Sequence, residues 1–309
     1  MVATRNRDYG DVKDRPKNPC KPPADGSCLF LTLPAELRNR IYELVLTDKD
    51  GLYMRETNGR AKLCFKEPAI QTLKARKKTA NKLDDEANQL QYVSRQLRAE
   101  TRRYGLKLND LYFVTYDRDE ASPLGACVNF LMSLAPRWFQ YLRNIIIRRH
   151  DAIPFAYAYL AEAGENPNGK YYDFDAQDEL RGFCNAYPNM TIHWTCPKWE
   201  LKQSFCTFLL IGMSLAQAYR GIDLRREYNL DDDDGDWLDR HSAWCRPNGA
   251  PDFSAVPNFK VYPRNVAESR AAFDECVRGT LSWCRHHVPM DANVNTLKEL
   301  AASWYTNGI

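Results

Sequence analysis

The residue types able to bind a metal or move a proton are few and scattered in this 309-residue chain. Histidines stand at 150, 193, 241, 286 and 287, and cysteines at 20, 28, 64, 127, 184, 196, 206, 245, 276 and 284. A structural zinc site draws on two closely spaced ligand pairs. His193 and Cys196 make one pair with no second, and no Cys-x-x-Cys spacing occurs. Cys284, His286 and His287 cluster near a predicted helix end, where the helix dipole favours a histidine cation without any metal. The acidic run Leu230–Asp236 invites a calcium reading. With Gly235 at the sixth position of an EF-hand loop, however, Leu230 would fill the first and His241 the twelfth, where acids are needed. A solvated acidic loop is expected instead. No G-x-S-x-G, Walker loop, G-x-G-x-x-G or H-E-x-x-H is present. The expectation is therefore no catalytic residue, no metal and no cofactor.

Charge offers a different chemistry. Lys74, Arg76, Lys77 and Lys78 form the densest basic cluster, and residues 60–107 hold thirteen basic against five acidic residues. Such a patch suits phosphate contacts, an acidic partner or a nuclear-import address. Nucleic-acid or chromatin association through 60–107 is thus one functional expectation; a solvated helix face is the plainer one. Residues 223–239 carry eight acidic and two basic residues and would complement the patch within the molecule. Overall the charges nearly cancel, at a formal +3, so bulk charge announces no nucleic-acid binder.

The elements that must position these residues follow from apolar period and turn chemistry. A content of 44% apolar and 12% aromatic residues excludes a disordered chain. Residues 1–28 are basic and Pro-rich without apolar period, which predicts a disordered arm. Met1–Arg15 has no apolar h-region, so the protein is expected in the cytoplasm or nucleus and not secreted. The cysteines are then expected as reduced, small apolar residues. Leu37, Ile41, Leu44 and Val45 recur at helical spacing after Pro34, giving one apolar face, with Leu33 placed to staple onto Leu37. A hairpin is predicted from Leu52–Thr57 and Ala61–Lys66 around Asn58-Gly59. Helices follow at 69–82 and 88–104, the latter aligning Leu90, Val93, Leu97, Thr101 and Tyr104, with Arg95, Arg98 and Arg102 pointing away.

Strands are expected at 111–116, 144–149 around Ile145-Ile146-Ile147, and 190–196, sharing one sheet or two adjoining ones. Helices are expected at 123–134, 154–163, 175–186 with Asp175 as N-cap, 205–218, 265–287 with an Asn265/Glu268 capping box, and 294–304. No period of 20–29 residues marks a leucine-rich solenoid. Residues 223–264 read as an acidic, Pro-rich connector. The fold expected is α+β: a helical module with a β-hairpin over 29–116, an α/β region with a small sheet over 117–222, the connector, and C-terminal helices over 265–309.

Two helices carry a resemblance. Leu33-Pro34-Ala35-Glu36-Leu37-Arg38-Asn39-Arg40-Ile41-Tyr42-Glu43-Leu44 resembles the opening of an F-box helix. With Val93-Ser94-Arg95-Gln96-Leu97-Arg98-Ala99-Glu100 it is similar to the fungal two-EXR domain family, named for two Glu-x-Arg tripeptides. Here those are Glu36-Leu37-Arg38 and Glu100-Thr101-Arg102. The resemblance covers about residues 29–116 and implies an F-box-like fold element rather than an activity. It implies a non-catalytic protein-interaction module, a substrate-recruiting adaptor that docks a Skp1-type protein through Leu33, Pro34, Leu37 and Ile41. The plainer reading is that Leu37 and Ile41 fill a core against residues 88–104. On a helical wheel of about 100° per residue, Arg38 and Glu100 each lie about 60° from the centre of their apolar stripe, while Glu36 and Arg102 point outward. Arg38 and Glu100 are accordingly expected as a structural ion pair.

Overall fold

The computed structural model describes residues 28–57, 60–65, 86–115, 122–149, 174–200, 205–222, 253–264, 273–275, 277–278 and 294–309. The chain divides into two compact units, residues 1–45 and 46–309. In the first, a single turn, α1 (Leu29–Thr32), leads through Leu33 and Pro34 into α2 (Ala35–Leu46). Pro34 stands one residue ahead of the helix rather than inside its first turn. Its carbonyl accepts from the N–H groups of Leu37 and Arg38, both at 3.1 Å.

The second unit is built on one six-stranded sheet, ordered β2-β1-β3-β4-β5-β6. Its strands are β1 (Leu52–Thr57), β2 (Arg60–Cys64), β3 (Leu111–Thr115), β4 (Asn144–Arg149), β5 (Thr191–Glu200) and β6 (Phe259–Arg264). β1 and β2 are antiparallel, and their register sets Thr57 against Arg60, as a two-residue Asn-Gly turn requires. The remaining pairings are parallel. The described helices of this unit include α3 (Arg95–Thr101), α4 (Tyr104–Leu108), α5 (Pro123–Ser133), α6 (Phe174–Ala186), α7 (Phe205–Arg220) and α8 (Val294–Asn307). The fold is α+β.

From β1 to β6, β2 aside, each strand lies beside the next in sequence and parallel to it. Right-handed crossovers wound in one direction place their helices on one face of a sheet. Burial follows that rule. Leu111, Phe113, Ile145, Ile147, Ile192, Trp194, Phe259 and Val261 share one apolar cluster with Leu131, Leu180, Phe208 and Trp304 of α5, α6, α7 and α8. This is sequential, solenoid-like winding without a repeat: the parallel strands begin at 52, 111, 144, 191 and 259, and that uneven spacing leaves no period in the sequence. Gly51 opens β1 with φ +76°, where a Cβ would lie 2.5 Å from the Tyr112 ring.

Several expectations need correction. The connector 223–264 does not extend to its stated end, because 259–264 are β6 and Phe253 and Val256 are buried ahead of it. Asn88–Tyr104 is not one helix. A 3₁₀ turn at Gln89–Tyr92 comes first, and Ser94 then caps α3, its hydroxyl accepting from the Leu97 N–H at 3.1 Å. Val93 therefore falls outside the apolar side and is exposed, while Leu97, Thr101 and Tyr104 are buried. Ile146 is not in the helix-side core; its two neighbours are, and it lies on the opposite face. Asp175 sits within the first turn of α6 rather than capping it. The arm before Cys28, the expected helices at 69–82 and 154–163, and nearly all of 265–287 lie outside the described residues. Among the described residues, no helix is long and apolar enough to cross a membrane.

Candidate functional site

In the first unit, α2 carries apolar residues on two sides, and the wheel decides which is which. Tyr42 and Leu46 are buried, and Tyr42 meets Phe30 edge-on at 5.8 Å. The stripe expected to form the core is the exposed one. Leu37 is 54% exposed, Leu44 69% and Val45 51%, with Leu29 of α1 at 62%. Ile41 and Leu33 are half-buried and Pro34 is exposed. The expectation that Leu37 packs inside is thus overturned. Tyr42 and Leu46, roughly 100–180° around the helix from Leu37 and Ile41, take the buried side instead.

Arg38 fixes how the chain enters α2. Its Nη1 donates to the carbonyls of Leu33 at 2.5 Å and Leu31 at 3.3 Å, joining α1 to α2 across the Leu-Pro corner. Glu36 is exposed. In the second unit, Glu100 is half-buried and accepts from Gln96 Nε2 at 2.9 Å, whereas Arg102 is exposed and stacks 5.1 Å from the Trp138 ring centroid. Arg38 and Glu100 are thus half-buried, and Glu36 and Arg102 exposed.

Of the basic segment, Arg95, Arg98, Arg102, Arg103 and Lys107 are exposed on α3, α4 and the turn between them. Lys74, Arg76, Lys77 and Lys78 lie outside the described residues, as do the acidic run 230–236 and Cys284, His286 and His287.

Cys64, Cys127, Cys184 and Cys196 are buried, as expected of small apolar residues, and Cys28 is exposed. Burial pushes the Cys127 thiol well up and the Cys184 thiol up to about 12, so neither supplies a thiolate near neutral pH. His193 lies in β5 on the face opposite the helices, stacked on Tyr262 at 5.0 Å. Burial, then Lys260, lower its pKa, while Asp110 acts in the other direction. Among the described residues, no three metal-binding side chains gather.

Sequence reasoning missed Leu44 and Val45 as candidate docking residues; the signal was the pair Tyr42 and Leu46, apolar on the far side of the same helix. It also missed Asn109, whose buried amide ties three backbones together. Asn109 Nδ2 donates to Leu46 O at 2.7 Å and Gly105 O at 3.0 Å, while its Oδ1 accepts from the Asp48 N–H at 2.7 Å. No family model, curated protein or solved structure matches the chain.

Proposed function

We propose that the protein is a non-catalytic interaction module that docks a Skp1-type adaptor through the apolar stripe of α2 and so recruits substrate for ubiquitin ligation. One observation carries the reading: Leu37, Leu44 and Val45 stand together on one exposed side of a helix whose opposite side is buried. Full burial of one such side chain contributes about 1.5–3 kcal/mol, so three or four suffice for a stable helix-in-groove contact. Arg38 supports it by holding the Leu-Pro corner rigid, which lowers the ordering cost of binding. Calorimetric titration of the full chain with a purified Skp1-type adaptor tests the proposal. One-to-one binding that Leu37→Asp abolishes is expected; no heat at any ratio would defeat it.

A further inference from the structure

We propose that the basic surface of α3, α4 and the 3₁₀ turn Pro136–Tyr141 binds the phosphate backbone of a nucleic-acid duplex without reading its sequence. The proposal concerns the second unit alone and stands apart from the adaptor reading, which concerns α2.

Arg95, Arg98 and Arg102 follow at i, i+3 and i+7, on one side of α3 and its C-terminal cap, and all three are exposed. Helical backbone bonds run from the Arg102 N–H to Arg98 O at 3.1 Å and from the Lys107 N–H to Arg103 O at 3.0 Å. Each bond sets two cations one turn apart, a spacing at which like charges destabilise a helix. Aromatic rings collect the same side chains. The Arg102 and Arg137 guanidinium carbons lie 5.1 and 5.3 Å from the Trp138 ring centroid. The Arg103 guanidinium carbon and Lys107 Nζ lie 5.9 and 6.0 Å from the Tyr104 centroid. Arg103, Lys107 and Arg137 are exposed as well. A ring quadrupole attracts and orients a cation but leaves its charge in place.

Nearby carboxylates do not cancel these charges. Among the described residues, Glu100 is the one acid on the three segments, and it accepts from Gln96 Nε2. Around them, Glu86 takes Lys62, Gln91 and Tyr92, and Asp110 accepts from Asn144. Asp178 of α6 pairs with Arg181, and Asp48 accepts from the Asp50 N–H. Glu179 and Asp50 are exposed, the latter beside Lys49. None of these acids forms an ion pair with Arg95, Arg98, Arg102, Arg103, Lys107 or Arg137.

Charge density selects the occupant. A duplex presents about one phosphate charge per 1.7 Å of its axis, whereas an extended acidic peptide carries at most about one per 3.3 Å. Five of the six cations are arginines, whose planar forks meet phosphate oxygens in pairs. Trp138 and Tyr104 already hold cations, so this surface contacts backbone rather than stacking bare bases.

Fluorescence anisotropy of the full chain tests this with labelled DNA and RNA duplexes of about 20 base pairs, each in two unrelated sequences. Binding to at least one kind of duplex is expected, within about twofold between sequences and falling steeply with salt. Arg102→Gln with Arg137→Gln should weaken it at least about tenfold at about 0.1 M salt and lower the salt slope by about two. Arg40→Gln with Arg278→Gln removes the same charge at two other exposed positions and should leave affinity within about twofold. Circular dichroism confirms that each variant folds. Four results would overturn the proposal: no duplex binding at low salt, equal weakening by the second pair of substitutions, tighter binding of single strands than of duplexes, or displacement of the duplex by polyglutamate or phosphatidylserine vesicles at equal charge.

Discussion

Arg220 gathers four backbone carbonyls at the end of α7. Its Nη1 donates to Phe253 O at 2.9 Å and Val256 O at 3.0 Å, and its Nη2 donates to Ile309 O at 3.0 Å and to Phe259 O. A guanidinium serves all four because its donors diverge from one rigid plane, which an ammonium cannot copy. Hydrogen bonds to charged groups contribute about 1.5–3 kcal/mol each. Arg220→Lys should therefore lower unfolding stability by about 3 kcal/mol in urea titration, and an unchanged midpoint would deny Arg220 this role. His193 gives a pH dependence. Its folded pKa is lowered, so the unfolded chain takes up the proton first. Stability is then complete above the ordinary imidazole value of about 6.5 and falls as pH drops through it. His193→Gln should flatten that acid-side slope; parallel slopes would mean that this imidazole does not set it. Arg38→Met should lower stability by about 1.5–3 kcal/mol, because it removes the bonds to the Leu31 and Leu33 carbonyls; an unchanged thermal midpoint would deny Arg38 its role at the Leu-Pro corner.

At the scale of elements, two helical glycines should respond oppositely to the same substitution. Gly212 lets α7 approach α8: a Cβ there would lie 2.4 Å from the Trp304 ring and 2.8 Å from Trp199. Gly182 in α6 has nothing within 4 Å of its Cβ position. Gly212→Ala should cost about 1–3 kcal/mol by overpacking, while Gly182→Ala should gain about 0.5–1 kcal/mol from helix propensity. Thermal melting decides both signs. Elements with strong local signals were legible: the hairpin came from Asn58-Gly59, β4 from its β-branched run, and α7 from its long apolar stretch. β6 was not, since Phe259–Arg264 contains a proline and follows an acidic, Pro-rich stretch. Its strand character comes from pairing with β5 and from reciprocal backbone bonds between Val261 and Ile309 at 2.8 and 3.0 Å. The break at Ser94 was missed for a related reason, as the apolar spacing runs on through Val93 and masks the cap.

For the whole molecule, the sequence shows which residues of α2 are apolar but not which side is covered, because burial is set by tertiary packing rather than period. The stripe of Leu37, Ile41, Leu44 and Val45 looked like a core face, and Tyr42 and Leu46 occupy that role. The same limit hid the second face of the sheet: short strands rich in β-formers are visible one at a time, and only their register aligns Tyr53, Tyr112, His193 and Lys260. The proposed function stands on the docking role of the α2 stripe. Its most direct test is Leu44→Asp, measured for both unfolding free energy and adaptor affinity. Stability within about 0.5 kcal/mol of the parent is expected, as for an exposed position, together with loss of adaptor binding. A variant that loses several kcal/mol of stability, or that binds the adaptor as the parent does, would contradict it.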